Sequence, residues 1–259
     1  MGGVPVPIKL AAVVLRAVDY GEADRVVLLL SRERGKVSAF ARGARASRRR
    51  FGGALEPFTL LAAEARERRG AELLGLETVS VVRAFGGIRG DLARIACAAY
   101  AAELSRELVR DHEPHPDLFD LLVAYLSALD SGPARPAALR AFELGALRAA
   151  GFMPRLDACA RCGAGLPDAP VRFDAEPGGA LCPGCAAAAG PRSVSLSPGT
   201  LRALRGLQEG GLAAAETEPL LPPAGREGRE ALAHFVEHVL GRRLRSRAFL
   251  DEVGPLLAE

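Results

Sequence analysis

Four cysteines stand at a spacing that can hold a metal. Cys159-Ala160-Arg161-Cys162 and Cys182-Pro183-Gly184-Cys185 are two CxxC pairs with 19 residues between them. Each pair can present two thiolates to one ion, and four thiolates complete a tetrahedral shell around Zn2+. Gly163 and Gly184 suit the tight turns of such knuckles. Four protein ligands leave no open coordination position, so the spacing predicts one structural Zn2+ per chain rather than a catalytic one. Its expected role is to pin the residues between the pairs to the surrounding helices. Disulfides are the alternative, and a cytosolic chain disfavours them. The fifth cysteine, Cys97, falls on an apolar helical face and reads as core.

The second group is cationic. Gly35–Phe51 carries Lys36, Arg42, Arg45, Arg48, Arg49 and Arg50, with no acid between Glu33 and Glu56. The whole chain is almost balanced, at a formal +3, so this charge is gathered rather than spread. Residues 1–80 hold 14 Lys and Arg against 9 Asp and Glu, and the remainder holds 20 against 22. A basic front on a near-neutral back points to a polyanion site at one end, with a solvated basic loop as the plain alternative. Side chains alternate faces along a strand. Lys36, Ser38, Phe40 and Arg42 therefore share one face if this is a strand, and Val37, Ala39 and Ala41 share the other, which suits a barrel interior. Cations for phosphates and a ring for a base are what a single-strand platform needs. Phe40 in the core is the competing reading. The Gly, Ala and Ser content of the loop Gly43–Arg50 suits it to following an irregular backbone.

The elements that must position these groups fall into three sections. Residues 1–85 read as β: Ile8–Val18, Arg25–Leu30, Val37–Ala41, Leu55–Ala63 and Glu77–Phe85 are strand candidates separated by short turns. A five-stranded OB-like barrel fits this count, and a sandwich fits nearly as well. Helical periods follow at Leu92, Ile95, Ala96, Ala99 and Ala102, and again from Leu118 to Leu129. A third helix is expected over Ala137–Ala150, stopped by Gly151. Ser197-Pro198 reads as an N-cap with proline at the first helical position, Glu218–Gly225 as a linker, and Glu227–Leu240 as a last helix. The fold class expected is α+β multidomain. An N-terminal OB-fold barrel at 1–85 precedes a helical domain at 86–157 and 188–259, with a four-cysteine zinc element inserted at 158–187.

Other chemistries lack support. There is no GxxxxGK[ST] loop, no GxSxG elbow and no HExxH, so no catalytic residue is assigned and a non-enzymatic role is expected. His234 and His238 stand four apart with no third ligand nearby and read as packing or surface residues. Val4–Leu15 is broken by Pro5, Pro7 and Lys9 and is far short of the roughly 20 residues of a membrane span. Val6 stands where a myristoylation signal wants Ser or Thr. A cytoplasmic, nucleoid-associated location is the expectation.

Several separate motifs together resemble the RecO family of bacterial recombination mediators, over nearly the whole length. Tyr20-Gly21-Glu22-Ala23-Asp24-Arg25 resembles the family's early YGExD turn. Gly35-Lys36 and Ala41-Arg42-Gly43-Ala44-Arg45 resemble its GK…ARGAR segment, and Phe51–Phe58 is similar to the barrel segment that follows. Glu143-Leu144 through Gly151-Phe152-Met153-Pro154 leads into the first cysteine pair as in the family, and Gly241–Leu250 looks like its C-terminal signature.

The resemblance implies an OB-fold, a helical domain and a zinc element, in that order. It implies binding of single- and double-stranded DNA and annealing of complementary strands. It also implies contacts with RecR and with the acidic, apolar tail of single-strand-binding protein, to help load RecA. Lys36 and Arg42 match positions of DNA-contacting basic residues, and Ser47-Arg48-Arg49-Arg50 keeps the charge of a Lys/Ser-rich run. Arg140 and Arg148 lie in the section that would take the tail. The DNA-binding set is thus Lys36, Phe40, Arg42, Arg45, Arg48, Arg49 and Arg50, and the metal set Cys159, Cys162, Cys182 and Cys185. Two other classes compete: an adaptor whose basic loop docks an acidic partner, and a metal-dependent nuclease.

Overall fold

The computed structural model describes residues 7–67 and 72–254, without the side chains of Arg48 and Arg49. The chain forms two compact units. The first comprises Met1–Asp91 with Ser105–Ser131, the second Leu92–Leu104 with Gly132–Glu259. Residues 105–131, which the sequence reading placed in the helical domain, contain a helix that groups with the first unit.

In the first unit, β1 (Ile8–Tyr20), β2 (Asp24–Ser31), β3 (Gly35–Ala41), β4 (Leu60–Arg66) and β5 (Leu74–Arg83) close into a barrel in the order β1-β2-β3-β5-β4. All neighbours are antiparallel except β3 and β5. This is the OB-like closure, made between β3 and β5 by the short parallel pairing of Ala39 with Leu74 and Phe40 with Gly75. Alternation explains the interior: Leu10, Ala12, Val14, Val27, Leu29, Val37, Ala39, Ala41, Leu61 and Ala63 all point inward and are buried. A register shift between Val14 and Arg16 bends the long first strand, after which Arg16, Val18 and Tyr20 face out.

The strand expected over Leu55–Ala63 begins only at Leu60. Leu55 and Thr59 are buried within a turn, where Phe58 takes a φ of 70°. Phe51 and Leu55 join the barrel core from this connection. At the β2–β3 tip, Gly35 has φ +65°, and a Cβ there would lie 1.9 Å from the Glu113 carbonyl oxygen, so no side chain fits. A 3-10 turn spans Gly86–Gly90, and α2 (Leu92–Leu108) and α3 (Pro116–Ser131) follow.

The second unit contains α4 (Pro136–Ala149), a small sheet of β6 (Val171–Asp174), β7 (Gly179–Leu181) and β8 (Val194–Leu196), the one-turn α5 (Pro183–Ala186), α6 (Pro198–Thr217), α7 (Ala224–Leu240) and α8 (Ser246–Val253). The stop at Gly151 is a Schellman motif. Phe152 N donates to Leu147 O at 2.8 Å and Gly151 N to Arg148 O at 3.0 Å. Ser197 caps α6 by accepting from Thr200 N. Behind that cap, Glu227 Oε2 accepts from Ser197 N, Ser197 Oγ and Thr200 Oγ1. Burial pushes the Glu227 pKa up, but these bonds outweigh it and hold the carboxyl below its usual value. Cys97 is fully buried on α2, as expected of a core residue.

Charge is also buried here. Glu143, with no exposed surface, accepts from Tyr100 OH at 2.7 Å and lies 2.9 Å from Arg140 Nε. Burial first, then the neighbouring Glu143 carboxylate, pushes the Tyr100 phenol well above its usual value. Among the described residues, no helix is long and apolar enough to cross a membrane.

Candidate nucleic-acid interface and metal centre

Strand register builds an outward row on the barrel. Val18 stands opposite Val26, and Val26 opposite Phe40; Arg16 stands opposite Leu28, and Leu28 opposite Ser38. Phe40 is half-buried because the Tyr20 ring meets its edge, with centroids 5.7 Å apart and planes at 79°. Tyr20 itself is 61% exposed. Sequence reading found Phe40 and missed Tyr20. Their cross-strand distance depends on pairing, although Tyr20 has the parity of Val18, and that signal was available.

The basic segment is a folded turn. After β3, Ser47 caps the short α1 (Arg48–Phe51) by accepting from Arg50 N. The Arg50 guanidinium lies over the Phe51 ring at 4.8 Å, and its Nη2 donates to Arg42 O. Buried Phe51 thus anchors the turn, while Arg42 and Arg50 stay exposed. Arg45 Nη1 donates to Glu22 O at 3.0 Å, and its Nε lies 3.6 Å from Asp19. Arg25, which the sequence reading placed in the YGExD-like turn without a binding role, pairs with Asp19 and Glu56. Arg48 and Arg49 open α1, and their side chains lie outside the described residues.

Lys36 needs a correction. Alternation places it outward with Ser38, Phe40 and Arg42, but its ammonium is not open to a ligand. Nζ donates to the carbonyls of Arg106 at 2.9 Å and Val109 at 2.8 Å, and lies 3.2 Å from Asp111 Oδ1. Only 16% of the side chain is exposed. It satisfies carbonyls at the C-terminal end of α2, where the helix dipole favours a cation.

The cysteines converge in the second unit. Gly163, at φ +77°, turns the first knuckle, and its N–H donates to Cys159 O at 2.9 Å. Ala160 N donates to Ala180 O, tying this knuckle to β7, which runs directly into Cys182. Cys182 is the N-cap residue of α5, which brings Cys185 round to the same side. All four Sγ atoms lie within 4.8 Å of one another, and those of Cys162 and Cys182 are 3.7 Å apart.

A disulfide needs sulfurs about 2.05 Å apart, whereas a tetrahedral shell with Zn–S near 2.3 Å needs them about 3.8 Å apart. The residues fit a metal and not a bridge. The Cys159 thiol is held down at about 6, first by the Cys162 backbone N–H and then by that of Cys182. The Cys185 thiol is pushed up to about 12, first by its bonding to Cys162 and then by desolvation. Four thiols this close cannot all ionise without a cation among them.

Arg140 and Arg148 differ. Arg140 is 2% exposed and lines an open groove of about 540 Å3 with Pro136, Leu139, Leu220, Pro222 and Leu250. Arg148 bonds to the Gln208 carbonyl. His234 Nδ1 lies 2.7 Å from Arg192 O and His238 is exposed, in keeping with packing and surface positions.

Comparison with known proteins covers both units. Residues 6–85 match the family model "Recombination protein O N terminal", and residues 89–248 match "Recombination protein O C terminal". "DNA repair protein RecO" of Anaeromyxobacter sp. (strain K) is 76% identical over 250 residues, covering 96% of this chain and 98% of that protein. The protein of the same name from Myxococcus xanthus (strain DK1622) is 51% identical over 243 residues, covering 94% and 96%. That from Geobacter sulfurreducens is 43% identical over 250 residues, covering 96% and 99%.

Proposed function

The chain belongs to the RecO family of DNA repair proteins, and from that membership we propose a non-catalytic recombination mediator. It binds single- and double-stranded DNA and anneals complementary strands. With RecR and single-strand-binding protein it helps to load RecA. The observation that carries this reading is the turn after β3, where Arg42 and Arg50 are exposed beside an outward Tyr20–Phe40 pair.

The physics of annealing suits such a surface. Two strands repel through their phosphates, and a basic surface lowers that repulsion and releases counterions. Contacts confined to phosphates carry little sequence preference. Pairing itself drives the reaction, so no nucleotide hydrolysis is needed. Zn2+ held by Cys159, Cys162, Cys182 and Cys185 would be structural, because all four positions come from the chain. The acidic, apolar tail of single-strand-binding protein would occupy the groove of Pro136, Leu139, Leu220 and Leu250. Arg140 lies in that groove, which favours it over Arg148 as the partner of a tail carboxylate.

The test is fluorescence anisotropy with a short single-stranded oligonucleotide across a salt series. An Arg48→Ala/Arg49→Ala/Arg50→Ala variant should lose roughly 2–3 phosphate equivalents from the salt slope. Equal slopes would move the adaptor reading ahead. Divalent-metal-dependent cleavage of the DNA would replace both with a nuclease.

A further inference from the structure

The second unit carries a cationic surface that the DNA-binding set above does not include. Helices α7 and α8 and the turn before β8 line an open basin of about 570 Å3, with Arg192, Arg226, Arg229, Arg243 and Arg247 around it. Glu230, Glu237 and Asp251 line it too, but two of these acids are already engaged. Glu237 pairs with Arg192, and Asp251 pairs with both Arg243 and Arg247 at 2.9 Å.

Two guanidiniums keep open donor capacity, and a third lends charge. Arg226 and Arg229 are exposed, stand one turn apart on α7, and form no ion pair with any described residue. Arg247 is different in kind. It is 7% exposed, Asp251 holds its Nε, and its buried Nη1 has no hydrogen-bond partner among the described residues. That atom has almost no accessible surface, so Arg247 adds its positive charge to the basin floor rather than a donor that an incoming group can reach. Guanidinium forks match the oxygens of a phosphate group.

The lining also selects among anions. Among the described residues that line this basin, Ala233 is the one with an apolar side chain. The charged heads dominate what a partner would meet here, although the side-chain stems leave some apolar surface between them. A phosphodiester backbone needs none, because its affinity comes from charge and counterion release. We infer that the Arg226–Arg229–Arg247 basin binds a backbone phosphate of a nucleic-acid strand, so that DNA has a second contact surface on α7 and α8. The inference rests on the DNA-binding reading above and adds a site to it.

The experiment compares the full-length protein with an Arg226→Ala/Arg229→Ala variant. Both residues are exposed, so the fold should survive, and a thermal melt checks that it does. Arg247 is left in place because of its burial. The probe is a single-stranded oligonucleotide long enough to span more than one site, titrated with salt. The expected result is a slope shallower by about 1 per arginine removed, adding to the loss from the Arg48/Arg49/Arg50 variant when the two are combined. An unchanged slope overturns the inference while the barrel variant still reports on the parent reading.

Two further arms separate other sources. Inorganic phosphate that binds wild type but not the double variant, with DNA affinity unaltered, would make this a small-anion site and overturn the DNA assignment. A polyglutamate peptide that needs Arg226 and Arg229 where DNA does not would do the same. Absence of DNA affinity in wild type sinks the parent reading itself.

Discussion

The cysteine cluster and the basic barrel face both crowd like groups, yet chain connectivity enters them differently. In the cluster, each pair of ligands is fixed within a single turn: Gly163 closes one knuckle, and α5 carries Cys182 to Cys185. On the barrel, Tyr20 and Phe40 lie twenty residues apart and meet only because β1, β2 and β3 pair in one register. A site built from local turns can be read from spacing. A site built by register can be read only as far as face parity, because parity says nothing about what lies opposite.

Lys36 shows the limit. Its parity with Phe40 and Arg42 was legible, but the carbonyls of Arg106 and Val109 that hold its ammonium are some seventy positions away. The turn Leu55–Thr59 was misread as strand for a related reason. Its apolar residues are inward because Leu55 joins the barrel core, not because they alternate. The segment Gly241–Leu250 was noted as a motif, but α8, which begins in it and runs past it, was not anticipated: Ser246–Val253 is short, and its buried residues are Arg247, Leu250 and Val253, with an arginine where a core position is usually apolar.

The contrast can be broken most strongly at the cluster. If the thiols hold Zn2+, metal analysis of protein purified without added zinc should give close to one ion per chain. Stripping the ion with a chelator, or Cys162→Ser, should then cost the second unit about 4 kcal/mol when free zinc stands a thousandfold above its dissociation constant. DNA affinity per folded molecule should not change. Loss of DNA binding with the fold intact would put the knuckle on the DNA, and the two regions would no longer be separable.

A smaller effect separates Lys36 from its neighbour on the same face. Lys36→Met leaves two carbonyls without their cation and should cost about 1–3 kcal/mol in a denaturant melt. It should leave the salt slope of DNA binding as it was. Arg42→Ala should behave oppositely, with stability within about 0.5 kcal/mol of wild type and a slope shallower by about 1. Equal behaviour of the two would mean that burial of the ammonium does not decide its role.

The smallest expected effect is a pH term at the α6 cap. The folded Glu227 carboxyl titrates below its unfolded value of 4.5, so its contribution is fully present above that pH. It fades as pH falls through the depressed folded value. The gap in melting temperature between wild type and Glu227→Gln should therefore be open at pH 7 and close in acid. A gap that persists at pH 3 would assign the effect to packing rather than charge.

The two concavities of the second unit have lining residues in common. Arg226, Arg229 and Asp251 belong both to the polar basin and to the apolar groove beside it. A guanidinium turned toward a phosphate in the first is withdrawn from a carboxylate in the second. If an acidic tail and a strand both draw on these guanidiniums, thermodynamic linkage would make the antagonism reciprocal, each weakening the other by the same factor. A protein that must take DNA away from a partner carrying such a tail would thereby have an exchange built into two side chains, with release of the tail coupled to capture of the strand.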